Sequence, residues 1–564
     1  MDSQRLILFF VFAFAVFMLL DRWQQDQQPA KPAAAVADKA DKVGKTAPVA
    51  PSSPTPPRDR AGSIQAAAPK TPATRPQSKT IRLETDVVIA QVDTLGGSLQ
   101  RLELKQHRDT LDKTKAFVLL DAAGEHAYGA QSGLFGNKLP NQETLFESDS
   151  DKLELAAGSD QLELRLRAPE AQGLQVTKIY RFHRGSYLID VGFEIANKGI
   201  APVEPWAYFE LVRNAKPPAG DSAMLPTFTG VGIYTEKKKL QTFTFEKFAE
   251  VAKEFPDDEK TPYPEDGWIA VLQHYFFSAW LPRKETPRRF YMEPLNGEYR
   301  VGLKVPVGSI APSGTGAVTV RLYAGPEEQK KLAVIAEEDA PGLNLTVDYG
   351  KLKIIAVPLF WALSWLHDWV RNWGVAIIIL TVIIKALFYP LSAASYRSMA
   401  KMRVLAPKMQ KLKDQYGDDR QRMQQAMMEL YKTEKINPLG GCMPILVQIP
   451  VFIALYWVLL YSVELRHAPF YLWIDDLSRP DPWFILPILM AATMWVQTLL
   501  NPEPPDPVQA KVMKIMPIVF SVFFFFFPAG LVLYWLVNNI LSIAQQWRIT
   551  RVLEREGAAA RKKR

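Results

Sequence analysis

The sequence predicts a polytopic α-helical membrane protein of six spans that carries a large all-β sandwich. Three observations point there. The C-terminal third holds several long apolar runs separated by charged loops. Residues 81–340 alternate apolar and polar with a period of two. A shorter apolar run at 6–20 precedes both and is joined to them by a segment too polar to bury a core. At 564 residues the chain is also too long for one ordinary core.

Composition narrows the function classes. The formal net charge of +8 is modest for this length and suits a membrane surface or acidic partners rather than sequence-specific nucleic acid. The single cysteine, Cys442, excludes an intramolecular disulfide and a cysteine-based metal site. The six histidines show no ligand spacing, and no Walker A loop, GxGxxG or G-x-S-x-G occurs. No cofactor, metal or catalytic residue is predicted, and this pattern counts against an enzyme.

Residues 1–23 read as a signal-anchor helix built on LILFFVFAFAVFMLL. The alternative is a cleaved signal peptide, but the following DRWQQDQQ offers no small-residue cleavage site. Residues 24–80, rich in Pro, Ala, Lys and Gln, read as a disordered tether. Residues 81–340 form the β sandwich. Leu162, Leu164 and Leu166 mark one face of a strand, as do Ile189, Val191, Phe193 and Ile195, and again Val301, Leu303 and Val305. Arg184-Gly185 and Asn296-Gly297 are turn signals between such runs.

Residues 351–371 read as an interfacial amphipathic helix. Trp361, Trp365, Trp369 and Trp373 recur at every fourth position, and tryptophan prefers the membrane–water interface. Spans follow at 373–391, 441–463, 483–500, 512–528 and 530–547. A cytoplasmic helical hairpin at 393–440 separates the first two, and a basic tail occupies 548–564. Lys and Arg crowd the loop 393–440 and the tail, whereas Glu464, Asp475, Asp476 and Asp481 mark the loop after the span 441–463. The positive-inside rule places the basic segments and both termini in the cytoplasm and the β domain outside.

One lysine stands out within these runs. Lys385 sits in IIILTVIIKALFYPL with no acid beside it, at a cost of about 2.5–3.5 kcal/mol on insertion scales. Thr381 lies one turn deeper on its face. Gln448, Thr493, Gln497, Ser521, Asn538 and Ser542 also fall toward the cytoplasmic halves of their spans, while the outer halves are apolar. Snorkelling of Lys385 and interhelical hydrogen bonding by the amides are alternative readings of single residues. The joint pattern points to a hydrophilic cavity open to the cytoplasm and closed outside. Such a half-depth groove suits a protein that accepts a polar segment from the cytoplasm and passes an apolar one sideways into lipid. The hairpin carries Met399, Met402, Met409, Met423 and Met427 at helical spacing, either as its own seam or as an adaptable apolar surface.

The stretches LNLTVDYG (343–350), FYPLSAASYRSMAKMR (388–403), KINPLGGCMPILVQIPVFIALYWVL (435–459), SVELRHAPFYLWIDDLS (462–478) and FFPAGLVLYWLVNNILSIAQQW (526–547) closely resemble the YidC membrane-protein insertases of Gram-negative bacteria. The resemblance implies a periplasmic β-super-sandwich and a five-helix insertase core around a hydrophilic groove. It implies insertion of nascent inner-membrane proteins, alone or with the Sec translocon. It places Lys385 at the family's basic groove position, often arginine. It sets Ile449, Pro450 and Phe452 where the third span contacts the arriving segment, and matches Arg561-Lys562-Lys563-Arg564 to tails that approach ribosomes. A transporter, or a membrane-anchored periplasmic binding module, is the competing reading.

Overall fold

A computed structural model of the chain describes residues 78–136, 138–218, 227–255, 266–417, 419–434, 443–500 and 507–562. The expected signal anchor, nearly all of the expected tether, Cys442 and the last two tail residues lie outside the described residues. One compact unit, Gln77–Pro505 with Met513–Arg564, holds both sheets and the helices apart from the first turns of the helix that starts at Pro507.

Among the described residues seventeen strands come first. They are β1 (Thr80–Glu84), β2 (Val88–Asp93), β3 (Ser98–Arg108), β4 (Ala116–Asp121), β5 (Tyr128–Phe135) and β6 (Lys152–Glu154). Next are β7 (Gln161–Arg167), β8 (Leu174–His183), β9 (Leu188–Asn197), β10 (Trp206–Asn214), β11 (Gly230–Thr235) and β12 (Lys239–Thr244). The last are β13 (Trp268–Gln273), β14 (Phe276–Leu281), β15 (Arg289–Leu295), β16 (Glu298–Pro306) and β17 (Thr315–Pro326). They form a nine-stranded sheet, β15-β16-β10-β5-β4-β3-β2-β1-β6, and an eight-stranded sheet, β12-β11-β13-β14-β17-β9-β8-β7. All neighbours are antiparallel except β1 and β6. Alternation sets the register: Ile189, Val191, Phe193 and Ile195 of β9 are buried together, as are Val301, Leu303 and Val305 of β16. Both predicted turns are present. Arg184-Gly185 joins β8 to β9, and Asn296-Gly297 joins β15 to β16 with both residues at positive φ.

Among the described residues nine longer helices follow: α1 (Gln329–Glu338), α2 (Lys353–Val370), α3 (Trp373–Leu387), α4 (Tyr389–Tyr416), α5 (Arg420–Thr433), α6 (Met443–Tyr461), α7 (Ile485–Leu500), α8 (Pro507–Phe524) and α9 (Ala529–Lys562). Helix α2 exposes Trp361, Trp365 and Trp369 on one face. Trp373 departs from the expected stripe. Arg371 adopts a left-handed conformation at φ 55° and its N–H bonds to the His367 carbonyl, which stops α2. Asn372 then caps α3 by accepting from the Val375 N–H at 3.0 Å. The every-fourth spacing therefore crosses a helix break. Trp373 opens the next helix, is buried, and stacks on the His367 ring at 4.0 Å.

The segment expected to span at 373–391 is interrupted. Helix α3 ends at Leu387, Pro390 sits in the first turn of α4, and the two helices meet at 65°. Among the described residues no single helix is long and apolar enough to cross a membrane; the bent pair Trp373–Leu387 with Tyr389–Met402 passes together. At about 1.5 Å per residue, α3 alone is roughly 8 Å short of a 30 Å hydrocarbon core. At the other end α9 runs on as helix to Lys562, well past residue 547. Large apolar side chains nevertheless face outward from the bundle: Val382 and Ile383 on α3, Ile488 and Leu499 on α7, Ile518 and Val519 on α8. Exposed apolar surface on several helices at once suits lipid rather than water.

The arms α4 and α5 form the hairpin. Met399, Met402, Met409, Met423 and Met427 are all half-buried, and the Tyr431 hydroxyl reaches the Met409 sulfur at 3.3 Å. This geometry matches the seam reading. Asp419 caps α5 on the Arg422 N–H, and Lys408 pairs with Glu434 at 2.6 Å.

The loop between α6 and α7 is held by buried acids. Asp481 accepts from the backbone N–H of Trp483 and of Leu486 and from the Trp473 indole, at 3.0, 2.7 and 2.9 Å. Asp481→Ala is expected to cost about 1–3 kcal/mol, because it leaves buried donors at a helix start without a partner. The midpoint of heat-induced loss of the monodisperse detergent-solubilised protein should fall measurably, while Asp481→Asn should recover part of the loss.

Candidate functional site

The polar residues of the bundle do not scatter. Lys385, near the C-terminal end of α3, donates from Nζ to the Ser542 hydroxyl of α9 at 2.8 Å. Ser542 in turn donates to the Asn538 carbonyl one turn back, at 2.7 Å. Its single proton is thereby used, so Ser542 presents lone pairs to the ammonium. Gln448 of α6 donates from its amide to the Asn538 side-chain oxygen at 2.6 Å. The Tyr396 hydroxyl of α4 reaches the same Ser542. Four helices thus bring side chains to one place, where Asn538 and Ser542 are nearly inaccessible and Lys385 and Gln448 are half-buried.

The other predicted groove residues divide. Thr493 of α7 accepts from Asn539 of α9 at 3.4 Å and forms a second, smaller polar contact. Gln497 lies half-buried one turn further along α7, outside both contacts. Thr381 and Ser521 are buried and donate to carbonyls of their own helices, Ile377 at 2.7 Å and Pro517 at 2.6 Å. The backbone satisfies them where they stand. Such back-bonding is the ordinary fate of a hydroxyl inside a helix, and spacing alone could not separate it from a groove contact.

The two ends of the bundle differ. Lys385 stands just before the bend into the hairpin helix α4, and its polar cluster faces that end. The opposite end is packed with rings: Phe524 lies 5.6 Å from Trp535, Tyr456 is 5.7 Å from Phe527, and Trp457 is 5.5 Å from Tyr461. That end meets the β domain, where the His274 ring bonds through Nε2 to the Leu460 carbonyl at 3.0 Å. Burial holds this imidazole's pKa at about 4, so it is neutral and Nε2 carries the proton that the carbonyl accepts. Of the three expected contact residues on α6, Ile449 is exposed, Pro450 lies within the helix, and Phe452 packs edge-on against Trp535 at 4.5 Å.

Sequence reasoning missed Tyr396, Asn539 and Gln546. Gln546 donates to the Leu500 carbonyl at 3.1 Å and, with Asn539, tethers α9 to α7. The seven-residue spacing of Asn539 and Gln546 is a legible helical signal. Tyr396 carries none, since a tyrosine after a helix bend reads as ordinary packing. Among the described residues, no three His, Cys, Asp or Glu side chains stand close enough to hold a metal ion.

Comparison with known proteins identifies the family of the chain. Residues 365–556 match the family model described as 60Kd inner membrane protein, and residues 80–362 match the one described as YidC periplasmic domain. A protein from Nitrosospira multiformis, named membrane protein insertase YidC, is 52% identical over 571 residues, covering 99% of this chain and 98% of that one. One of the same name from Methylobacillus flagellatus is 53% identical over 566 residues, covering 100% and 99%. A solved structure titled as an active YidC insertase with its first transmembrane domain resolved aligns at 19% identity and a TM-score of 0.38, over 83% of this chain and 92% of that one.

Proposed function

Because the chain belongs to the YidC family of membrane protein insertases, we propose that its helical half receives nascent inner-membrane proteins in a groove lined by Lys385, Gln448, Asn538 and Ser542 and releases their apolar segments sideways into the bilayer. The observation that carries this reading is the contrast between the bundle's two ends: hydrogen-bonded polar side chains beside the hairpin, aromatic rings beside the β domain. A channel needs polar groups along its whole path, whereas a groove closed at one end needs them only where the client enters.

The family places the chain in the bacterial inner membrane with a periplasmic domain. On our reading the chain crosses six times with both termini in the cytoplasm, and the bent pair α3–α4 supplies one crossing. The domain bounds are those read from the sequence: anchor 1–23, tether 24–80, β domain 81–340, interfacial helix 351–371 and five further spans from 373 to 547. Thr493 and Gln497 flank the groove on α7, while Thr381 and Ser521 stand behind its wall, bonded to their own helices. Ile449, Pro450 and Phe452 form the slide for the arriving segment. Trp361, Trp365 and Trp369 anchor α2 in the interface, and Trp373 secures its junction with α3. The Sec translocon, and the ribosome through the basic tail, are the proposed partners besides the client and the lipid. The function involves no cofactor and no covalent chemistry.

The test is water access. In a Cys442→Ser background, single cysteines at 385 and 448 should react with a membrane-impermeant thiol reagent from the cytoplasmic face only. Reaction from both faces would favour a channel, and no reaction at either position would sink the groove.

A further inference from the structure

The β domain and the bundle meet at a place where two buried carboxylates have no salt-bridge partner among the described residues. Glu327 follows the end of β17 and is 4% exposed. Glu464 lies on the turn Val463–Leu465 that follows α6. Its Oε1 accepts the Gln329 N–H at 3.1 Å, and its Oε2 is sealed from solvent with no hydrogen-bond partner among the described residues. Glu464 and Asp348 both lie near enough to Glu327 for their charges to disfavour its ionisation, and Glu328 acts on Glu464 in the same way.

The surrounding charges do not neutralise the pair. Lys331 pairs with Glu328 at 2.8 Å, and His107 approaches the same carboxylate at 3.6 Å. Lys330 pairs with Asp368 at 2.8 Å, and its charge offsets only part of the burial that disfavours the Glu464 carboxylate. Arg466 reaches the Arg108 carbonyl and Thr110 and covers the rings of Phe117 and Phe276. The Tyr349 hydroxyl is taken up by Gln329 and Ser462, and the Tyr323 hydroxyl donates to the Pro326 carbonyl. Two like charges sharing one buried site cannot both ionise cheaply.

We infer that this contact is a proton-gated joint: the β domain is held on the turn after α6 while the Glu327–Glu464 pair carries a proton, and it loosens when both carboxylates ionise. The inference does not depend on the insertase reading. Burial pushes Glu464 up to about 7 and Glu327 well above the usual carboxylate range, so the titration falls where it can be observed. Once separated, both carboxyls regain ordinary values near 4.5. Docking therefore takes up a proton between those limits. It is favoured at acid pH and weakens as pH rises through about 7. For Glu464 alone, the open-to-docked ratio should rise by up to about two orders of magnitude across that window.

The test uses the full chain in proteoliposomes with Cys442→Ser and spin labels at Ile200→Cys and Leu472→Cys, both highly exposed. The inter-label distance distribution should be narrow at pH 5 and broad at pH 8.5. Glu464→Gln or Glu327→Gln alone should move the midpoint upward. The double variant should match the wild type at pH 5, which establishes its fold, and stay narrow at pH 8.5. A wild-type distribution unchanged by pH, single variants with an unmoved midpoint, or a double variant that still broadens would each overturn the joint.

Discussion

Lys385→Glu is expected to lower insertion by about tenfold or more while leaving the protein folded, and Lys385→Arg to stay within about twofold of the wild type. The geometry sets the sign. Ser542 has given its proton to the Asn538 carbonyl, so the group at position 385 meets oxygen lone pairs and must be a donor. Lysine and arginine meet that demand. A carboxylate would face the lone pairs of Ser542 with no donor in return, and it would repel acidic stretches of an arriving client. Lys385→Met keeps the length and removes the charge. It separates attraction of the client from packing and should fall between the two. The measurement is the protease-protected fraction of a nascent single-span client in proteoliposomes, at equal reconstituted amounts and with matched tryptic patterns. An arginine variant as inactive as the glutamate variant would show that more than a point charge is at work, since guanidinium and ammonium differ in shape but not in sign.

What the sequence made legible follows from the range over which its signals act. Strand alternation is a local, period-two signal, so Leu162, Leu164 and Leu166, or Ile189 through Ile195, are found buried as expected. The polar residues of the bundle were legible as a set, because a lysine or glutamine inside an apolar run is conspicuous wherever it folds. Their partners were not. Lys385 and Ser542 are 157 positions apart, Gln448 and Asn538 are 90, and no spacing rule reaches that far. Helix breaks were the other blind spot. The left-handed Arg371 takes Trp373 off the tryptophan face, and the bend before Pro390 divides one expected span between two helices. Both depend on single residues whose effect on the chain direction appears only once neighbouring elements are packed. The buried pair Glu327 and Glu464 belongs to the same class: each looks like an ordinary surface acid until the β domain meets the bundle.

Lys178 supplies the sharpest stability prediction. It lies in the run Val176, Lys178, Tyr180, Phe182, all inward on β8, so alternation itself places a lysine in the core. The side chain is fully buried. It crosses between the sheets, and its Nζ donates to the carbonyls of Gly96 at 3.0 Å and Ser132 at 2.8 Å. A neutral amine has two N–H groups for these two acceptors. The third proton of an ammonium finds only the rings of Tyr180 and Phe193, with centroids 5.5 and 5.6 Å away. Burial accordingly lowers the Lys178 pKa to about 7, against 10.5 in the open chain. Between those values the unfolded chain binds the extra proton, so stability rises with pH from about 7 to 10. The ceiling on this effect is on the order of 4–5 kcal/mol. Lys178→Ala, which also removes the stem, should destabilise the β domain by about 3–5 kcal/mol at pH 8. Lys178→Met keeps the stem and loses the titration. Urea-dependent proteolysis of the full chain, following fragments of residues 78–326, should show the gap between wild type and Lys178→Met widening with pH. At pH 6 the methionine variant should be nearly as stable as the wild type or more so, because nothing charged need be desolvated. A gap that stays constant from pH 6 to 10 would mean that the lysine is solvated in the folded state, and the bridge between the sheets would then rest on packing alone.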